Sequence, residues 1–477
     1  MYENSSPRPG LTLATVAVVQ FLVSLDLSVV NVGLPQMAAG LGFSALGVTW
    51  VIHAYALTFG GLLLLGGKAA DRYGRRRLLL LGLALFGVAS LLGGFAQSPG
   101  HLVAARAAQG VGAAMLAPAA LALLTSTFPA GPARVRAFGV WAAMNAAGGA
   151  LGVLAGGLLT EYASWRWVMF ANVPMAAAAL AMAYYGIAEL PVIRSGRPDV
   201  LGALLATAGM TTLVFGIVRT DRHPWTSAAT LTTLVIALIL LAAFVVVERT
   251  TRREPLLRLG LLTNRAVAGA NIFNLLVGAA MASAFYFASL YLQRVLGTGP
   301  ALTGVQFLPF ALGVIVGAVL AIRLGYRFPP RTLLILGGLV TAAGFAWFGR
   351  ISAGGSFTTD ILGPSIVASV GFGLCLGPVV SIATHGVAAH ETGTASGLLN
   401  SSRQIGASLG LAALGTAAGH RTGTATTTAA VNDGYALGLT LGAALLLTAV
   451  LVATLILRRT AATAATAATP EPAAVTS

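Results

Sequence analysis

Gly66-Gly67-Lys68-Ala69-Ala70-Asp71-Arg72-Tyr73-Gly74-Arg75-Arg76-Arg77 lies between two long apolar stretches. It packs five cations, one acid and two kinds of glycine position into a short connection. A cationic loop bounded by apolar runs is what a membrane-spanning chain leaves on the cytoplasmic side. The rest of the sequence fits that reading. Of 477 residues, 57% are hydrophobic and 9% are charged, whereas a soluble domain carries about 25% charged residues. The net charge of +15 does not point to nucleic acid, because the cations are scattered over many short loops and form no single basic face. A single cysteine, Cys375, excludes an internal disulfide and reads as a small core residue.

A helix of about 20 apolar residues crosses the hydrocarbon core of a bilayer. Fourteen such runs are present, at 11–33, 46–66, 78–96, 101–124, 137–159, 167–188, 200–219, 228–247, 266–290, 301–324, 332–350, 360–383, 394–418 and 434–457. The first is too long for a signal peptide and reads as a retained span. An even number of spans puts both termini on one side. With the termini and the even-numbered loops assigned to the cytoplasm, twenty Lys and Arg residues fall there, six fall opposite, and Arg106 and Arg403 lie inside spans. The asymmetry predicts that both ends face the cytoplasm. The tail after Arg459, rich in Ala, Thr and Pro, is expected to be disordered. Residues 313–331 look like a worn copy of the first cationic loop without its acid, which suggests related halves.

The order G-K-A-A-D-R-Y-G-R-R-R resembles the signature loop of the major facilitator superfamily of transporters. Further stretches are similar to its fourteen-span drug/proton antiporter branch. They are Leu25-Asp26-Leu27-Ser28-Val29-Val30-Asn31 through Pro35 in span 1, Arg106-Ala107-Ala108-Gln109-Gly110 in span 4, and Gly149 through Gly157 in span 5. Val153 stands where the last pattern has proline. Trp165-Arg166-Trp167, Asn172-Val173-Pro174, Tyr291-Leu292-Gln293, Leu308-Pro309 and Gly393 through Gly406 complete a resemblance that covers nearly the whole chain. It implies an all-α polytopic membrane protein with the major facilitator fold, two six-helix bundles plus two inserted helices. The divisions are a cytoplasmic N-terminus (1–10), a first bundle (11–190), an inserted pair (200–247), a cytoplasmic linker (248–265), a second bundle (266–457) and a cytoplasmic tail (458–477). Rocking of the bundles about a midplane site would give alternating access.

Asp26 is the leading functional candidate. It sits among Leu22, Val23, Leu25, Leu27 and Val29, where an ionised acid costs roughly 2.5–3.5 kcal/mol. Such a residue is expected to face a wet cavity and exchange a proton. Arg106 holds its charge permanently and needs a partner or water, so it is expected to bias an acid or to organise backbone carbonyls. In the resembling family, Gly67, Asp71, Arg72, Gly74, Arg75 and Arg76 form a gate, with the acid bonding across the bundle interface. Gly148, Gly149, Gly152, Gly156 and Gly157 are expected to line one side of span 5 as a pivot against a helix of the second half. Asn31, His53, Asn145, Asn271, Asn274, Tyr286 and Gln306 are candidate cavity residues; Gln293, Arg403 and Gln404 are further intramembrane polar groups.

No metal constellation, phosphate-binding loop or enzyme motif is present in the sequence. The expectation is a secondary transporter without cofactor, driven by a proton gradient, working as a monomer in the cytoplasmic membrane. Its partners are lipid, protons and a small-molecule substrate. Export of amphipathic drugs or natural products is expected. A proton symporter importing a solute on the same fold is the alternative, which the span 5 glycines disfavour. A non-transporting sensor is a further one, disfavoured by the lack of a soluble signalling domain. With no acid deep in spans 9–14, monovalent cations, zwitterions or neutral amphiphiles are the expected cargo.

Overall fold

Hydrocarbon offers no partner for a backbone N–H or C=O, so an apolar run of this length must satisfy its hydrogen bonds internally as a helix. The computed structural model describes residues 9–44, 47–128, 131–188, 199–221, 223–251, 255, 260–385, 387, 392–423 and 427–457. The expected tail, residues 1–8, most of the linker, and Arg8, Arg194, Arg197, Arg252, Arg253, Arg258, Arg458 and Arg459 lie outside them.

Among the described residues fourteen long helices form, named here in order. They are α1 (Pro9–Leu41), α2 (Trp50–Tyr73), α3 (Arg75–Gly94), α4 (Pro99–Thr127), α5 (Pro132–Tyr162), α6 (Arg166–Gly186), α7 (Val200–Val218), α8 (Ala228–Thr250), α9 (Arg265–Leu290), α10 (Pro300–Leu324), α11 (Pro330–Phe348), α12 (Gly363–Ala383), α13 (Thr392–Thr422) and α14 (Thr428–Leu455). Among the described residues, thirteen are long and apolar enough to cross a membrane. The exception is α13, where a span was expected. It is helical over 31 residues but carries buried Ser401, Gln404 and Ser408, because it packs against α2, α7, α9 and α14. The chain is a multi-pass membrane protein.

The packing repeats. In the first six helices, α1 pairs with α4, α5 and α6, α2 with α4, and α3 with α4 and α6. In the last six, α9 pairs with α12, α13 and α14, α10 with α12, and α11 with α12 and α14. The same pairings recur in the same order, as the two related halves of a transporter require. Between the halves, α2 lies on α13 and α5 on α10, while α7 and α8 pair and α7 leans on α2 and α13.

Glycine sets these distances. A Cβ on Gly148 would meet the Phe21 carbonyl at 2.6 Å, and one on Gly152 the Leu25 carbonyl at 2.7 Å. Gly156 sits equally close to the Val29 backbone. These three, spaced by four, therefore seat α5 on α1 within the same half. Only Gly157, turned about 100° further round the helix, touches the second half, at Pro300 and Ala301 of α10. Gly149 meets nothing nearer than the Ser28 hydroxyl at 3.9 Å. The expected five-glycine pivot thus divides into an internal seam and a single contact across the halves. The second half repeats the seam, with Gly406 on Leu275 and Gly410 on Ala279. A valine at Gly156 should destabilise the protein by about 1–3 kcal/mol, the usual cost of overpacking. Alanine at Gly149 should be neutral. Thermal unfolding of the detergent-purified variants separates the two.

Candidate functional site

Asp26 occupies the middle of α1 and is completely buried. Its Oδ2 lies 2.8 Å from Arg106 Nη1 of α4. Its Oδ1 accepts from Asn172 Nδ2 of α6 at 2.7 Å and from Gln109 Nε2 at 3.3 Å. Arg106 is 2% exposed. It also donates from Nε to the Val51 carbonyl of α2 at 3.0 Å and from Nη1 to Gln109 Oε1 at 2.8 Å. Gln109 Nε2 donates to Ser90 Oγ of α3 at 2.7 Å. The Tyr55 ring covers the guanidinium at 4.4 Å, a cation–π distance. Five of the first six helices meet in this one polar cluster.

The expected water-filled surroundings of Asp26 are therefore corrected. The carboxylate is enclosed within the first bundle, because Arg106 neutralises it and two amides fill its remaining acceptor positions. Arg106 pairs with Asp26 and donates to the Val51 carbonyl. Gln109, Asn172, Ser90 and Tyr55 were not singled out as its partners. The signal was available for Gln109, since residues three apart share a helix face.

The halves are hydrogen-bonded together at the end away from the Asp71 loop. Call the end that carries the Asp71 loop the near side. On the far side, Gln293 donates to the Val32 carbonyl at 3.0 Å and accepts from Gln36 at 3.0 Å. Ser289 donates to the Asn31 carbonyl at 3.2 Å, so α9 is tied to α1. Glu161 at the end of α5 accepts from the Ala301 amide at 2.6 Å, in the first turn of α10. The carboxylate there meets the positive end of a helix. Glu161 went unnoticed in the sequence because its partner is a backbone group.

On the near side, Asp71 does not make the expected bond across the interface. Its Oδ1 pairs with Arg75 Nη2 at 3.1 Å, one turn away in the same loop. Arg75 also donates to the Ala122 carbonyl of α4 at 3.2 Å, and Arg76 to the Tyr184 carbonyl of α6 at 2.7 Å. Lys68 bonds the Pro255 carbonyl of the linker. Arg72 lies over the Tyr73 ring at 5.6 Å. Gly74 takes φ 103°, which a side chain would disfavour, and turns α2 into α3. Gly67 faces Pro118 at ordinary contact distance. With the far side closed, the loop's acid–base contact between Asp71 and Arg75 is internal to the first half.

The candidate cavity residues separate. Asn145 is exposed and accepts from Gln20 at 2.8 Å; Asn31 is half-buried and donates to the Leu27 carbonyl at 3.0 Å. His53 is completely buried, edge-on to Trp50 at 5.7 Å. Tyr286 and Gln306 are buried as well, Tyr286 against Phe287. Asn271 and Asn274 are buried at the α9–α13 seam, where Asn274 donates to the Leu399 carbonyl at 2.7 Å and Asn271 accepts from Ser402 at 2.7 Å. Gln404 packs on Gly60 of α2.

Comparison with known proteins accounts for this arrangement. The family description Major Facilitator Superfamily matches residues 16–411. The chain belongs to that superfamily. It is a transporter and not an enzyme. The chain is 40% identical to the puromycin resistance protein pur8 of Streptomyces alboniger, over 96% of this chain and 94% of that one. It is 41% identical to the cephamycin export protein CmcT of Amycolatopsis lactamdurans, over 88% and 87%. Among solved structures, the peptide transporter POT in complex with sulfate superposes with a TM-score of 0.68 at 18% identity, over 95% of each chain. That likeness shows the facilitator fold alone.

Removing one member of the buried pair leaves the other charge sealed in protein. Asp26→Ala should cost about 3–5 kcal/mol of stability, and Asp26→Leu combined with Arg106→Met should recover most of it. Denaturation of the purified variants checks both, and additive losses in the double variant would contradict the pairing.

Proposed function

We propose that this facilitator exports amphipathic antibiotics or related natural products across the cytoplasmic membrane in exchange for protons, with both termini cytoplasmic. The resistance and export names of its relatives support the cargo and the direction. The Asp26–Arg106 pair carries the proposal for coupling.

A buried ion pair is weak as a stabilising device, because desolvation offsets its attraction and apolar residues in its place are often neutral or better. Its chemical use is as a switch. A proton on Asp26 removes the counter-charge of Arg106 and unsettles the hold of Arg106 on the Val51 carbonyl. Val51 belongs to α2, and α2 lies on α13 of the other half. The charge change is thereby passed to the surface on which the halves tilt. Arg106 lies in the second turn of α4 and Val51 at the start of α2, so the pair is beneath the far-side seal. It would gain access to protons when that seal opens. The near side, which carries the Asp71 loop, would admit cargo from the cytoplasm when the halves part there. One proton crossing about 100 mV supplies roughly 2.3 kcal/mol, enough for about a fifty-fold gradient of a neutral solute.

Expression in an efflux-deficient bacterial host should raise the inhibitory concentration of at least one antibiotic in a susceptibility panel. Asp26→Asn should abolish that protection. In proteoliposomes with an imposed pH step, the same variant should lose concentrative transport while retaining downhill exchange. Wild-type accumulation in Asp26→Asn overturns the coupling. Uptake rather than efflux in right-side-out cells overturns the direction.

A further inference from the structure

Arg403 is the one intramembrane cation that the coupling pair leaves over. It stands about 16 Å from the start of α13, a helix of roughly 46 Å, well inside the membrane. Its guanidinium donates from Nη2 to Asn400 Oδ1 at 3.1 Å. Among the described residues no carboxylate lies within ion-pair distance of it, the buried pair Asp26–Arg106 being complete in itself. Arg403 is nevertheless partly exposed, and so are its neighbours Asn400 and Ser402. A permanent charge at this depth costs roughly 2.5–3.5 kcal/mol, so such residues face water or a partner rather than lipid.

The repeated seam fixes where it stands. Gly148 seats α5 on the Phe21 carbonyl of α1, and Gly406 seats α13 on the Leu275 carbonyl of α9. Four residues on, Gly152 and Gly410 repeat the two contacts. Three residues before each first glycine come Asn145 and Arg403, which therefore hold matching positions in the two halves. Asn145 is exposed and is joined to Gln20. A fixed cation thus stands in the second half where the first half has a neutral amide.

We propose that Arg403, with Asn400 beside it, is the binding site for an anionic group, a carboxylate or equivalent, on an otherwise apolar cargo. The inference rests on the export reading and narrows its substrate class. It departs from the sequence-based expectation of monovalent cations, zwitterions or neutral amphiphiles: Asp26, which would attract a cation, is paired with Arg106, whereas Arg403 has no carboxylate partner among the described residues. A planar guanidinium offers two parallel N–H donors to a carboxylate, which ammonium does not. The positive charge also disfavours cations, so selectivity arises from repulsion as well as attraction.

The test uses a matched pair of probes, dansyl-phenylalanine, a monoanion, and its neutral methyl ester. Binding to the purified full-length transporter is followed by energy transfer from tryptophan to dansyl. Wild type should bind the anion at least tenfold more tightly than the ester, with the preference falling as salt is raised. Arg403→Gln should erase the preference while leaving the ester Kd within about twofold of wild type, which also reports that the variant is folded. Arg403→Lys should retain part of it. An equal or reversed preference in wild type, saturable binding of neither probe, or an anion preference that survives in Arg403→Gln overturns the proposal. The susceptibility panel reads export independently, so protection of the host with no anion preference would sink this assignment and leave the export reading standing.

Discussion

A carboxylate and a guanidinium 2.8 Å apart, closed off from water, tie together five helices that come from different parts of the chain. In a soluble protein such a cluster competes with hydration. At bilayer depth the alternative is an unpaired charge in hydrocarbon, which costs far more than any geometry the cluster imposes. The first bundle is built around satisfying this pair, and each satisfying group belongs to a helix whose position then follows. That dependence makes the pair a natural point of control. A change of one unit of charge reaches a cluster shared by every helix of the first bundle but α5.

The helix that stays out of the cluster has a different task. α5 is bound to α1 by a glycine seam on one face, and by Gly157 and Glu161 to α10 on another. Glycine allows backbone to lie on backbone, and small residues in this register are the usual means of close approach in membranes. The contacts that join α5 and α1 to α10 and α9 are single hydrogen bonds and short stretches of packing near the far end. They are of a kind that can be exchanged for others as the halves tilt. Glu161 on the first turn of α10 is the far-side form of what was expected of Asp71 on the near side. In this conformation the first carboxylate is engaged across the halves, and the second has turned back to Arg75.

Much of the fold was legible because hydrocarbon enforces it. Apolar runs of the right length had to be helices, and the cationic loop beginning at Lys68 marked a connection. The helix α13 was found by the same rule even though its Ser401, Gln404 and Ser408 weaken its apolar character. Asp26 and Arg106 were visible as charges in the wrong solvent. Their mutual contact was not, since 80 residues separate them and only the tertiary fold brings α1 to α4. The glycines of span 5 were legible as a packing surface but not as two surfaces. Spacing by four defines a face, and adjacent residues such as Gly156 and Gly157 belong to different ones. His53 misled because a titratable ring in a span reads as a cavity residue, whereas packing buries it against Trp50.

The internal repeat adds what no single motif can. Once Gly148 and Gly406 are seen to perform the same contact in different halves, every neighbouring position acquires a counterpart, and differences between counterparts become informative. Asn145 and Arg403 share a place in the architecture but not a charge. Shared positions explain packing, since both residues sit one turn before a glycine seam. The charge is not shared, since an amide holds the same place in the other half. What distinguishes Arg403 from Asn145 is therefore its sign, and a fixed cation selects by the sign of what it meets.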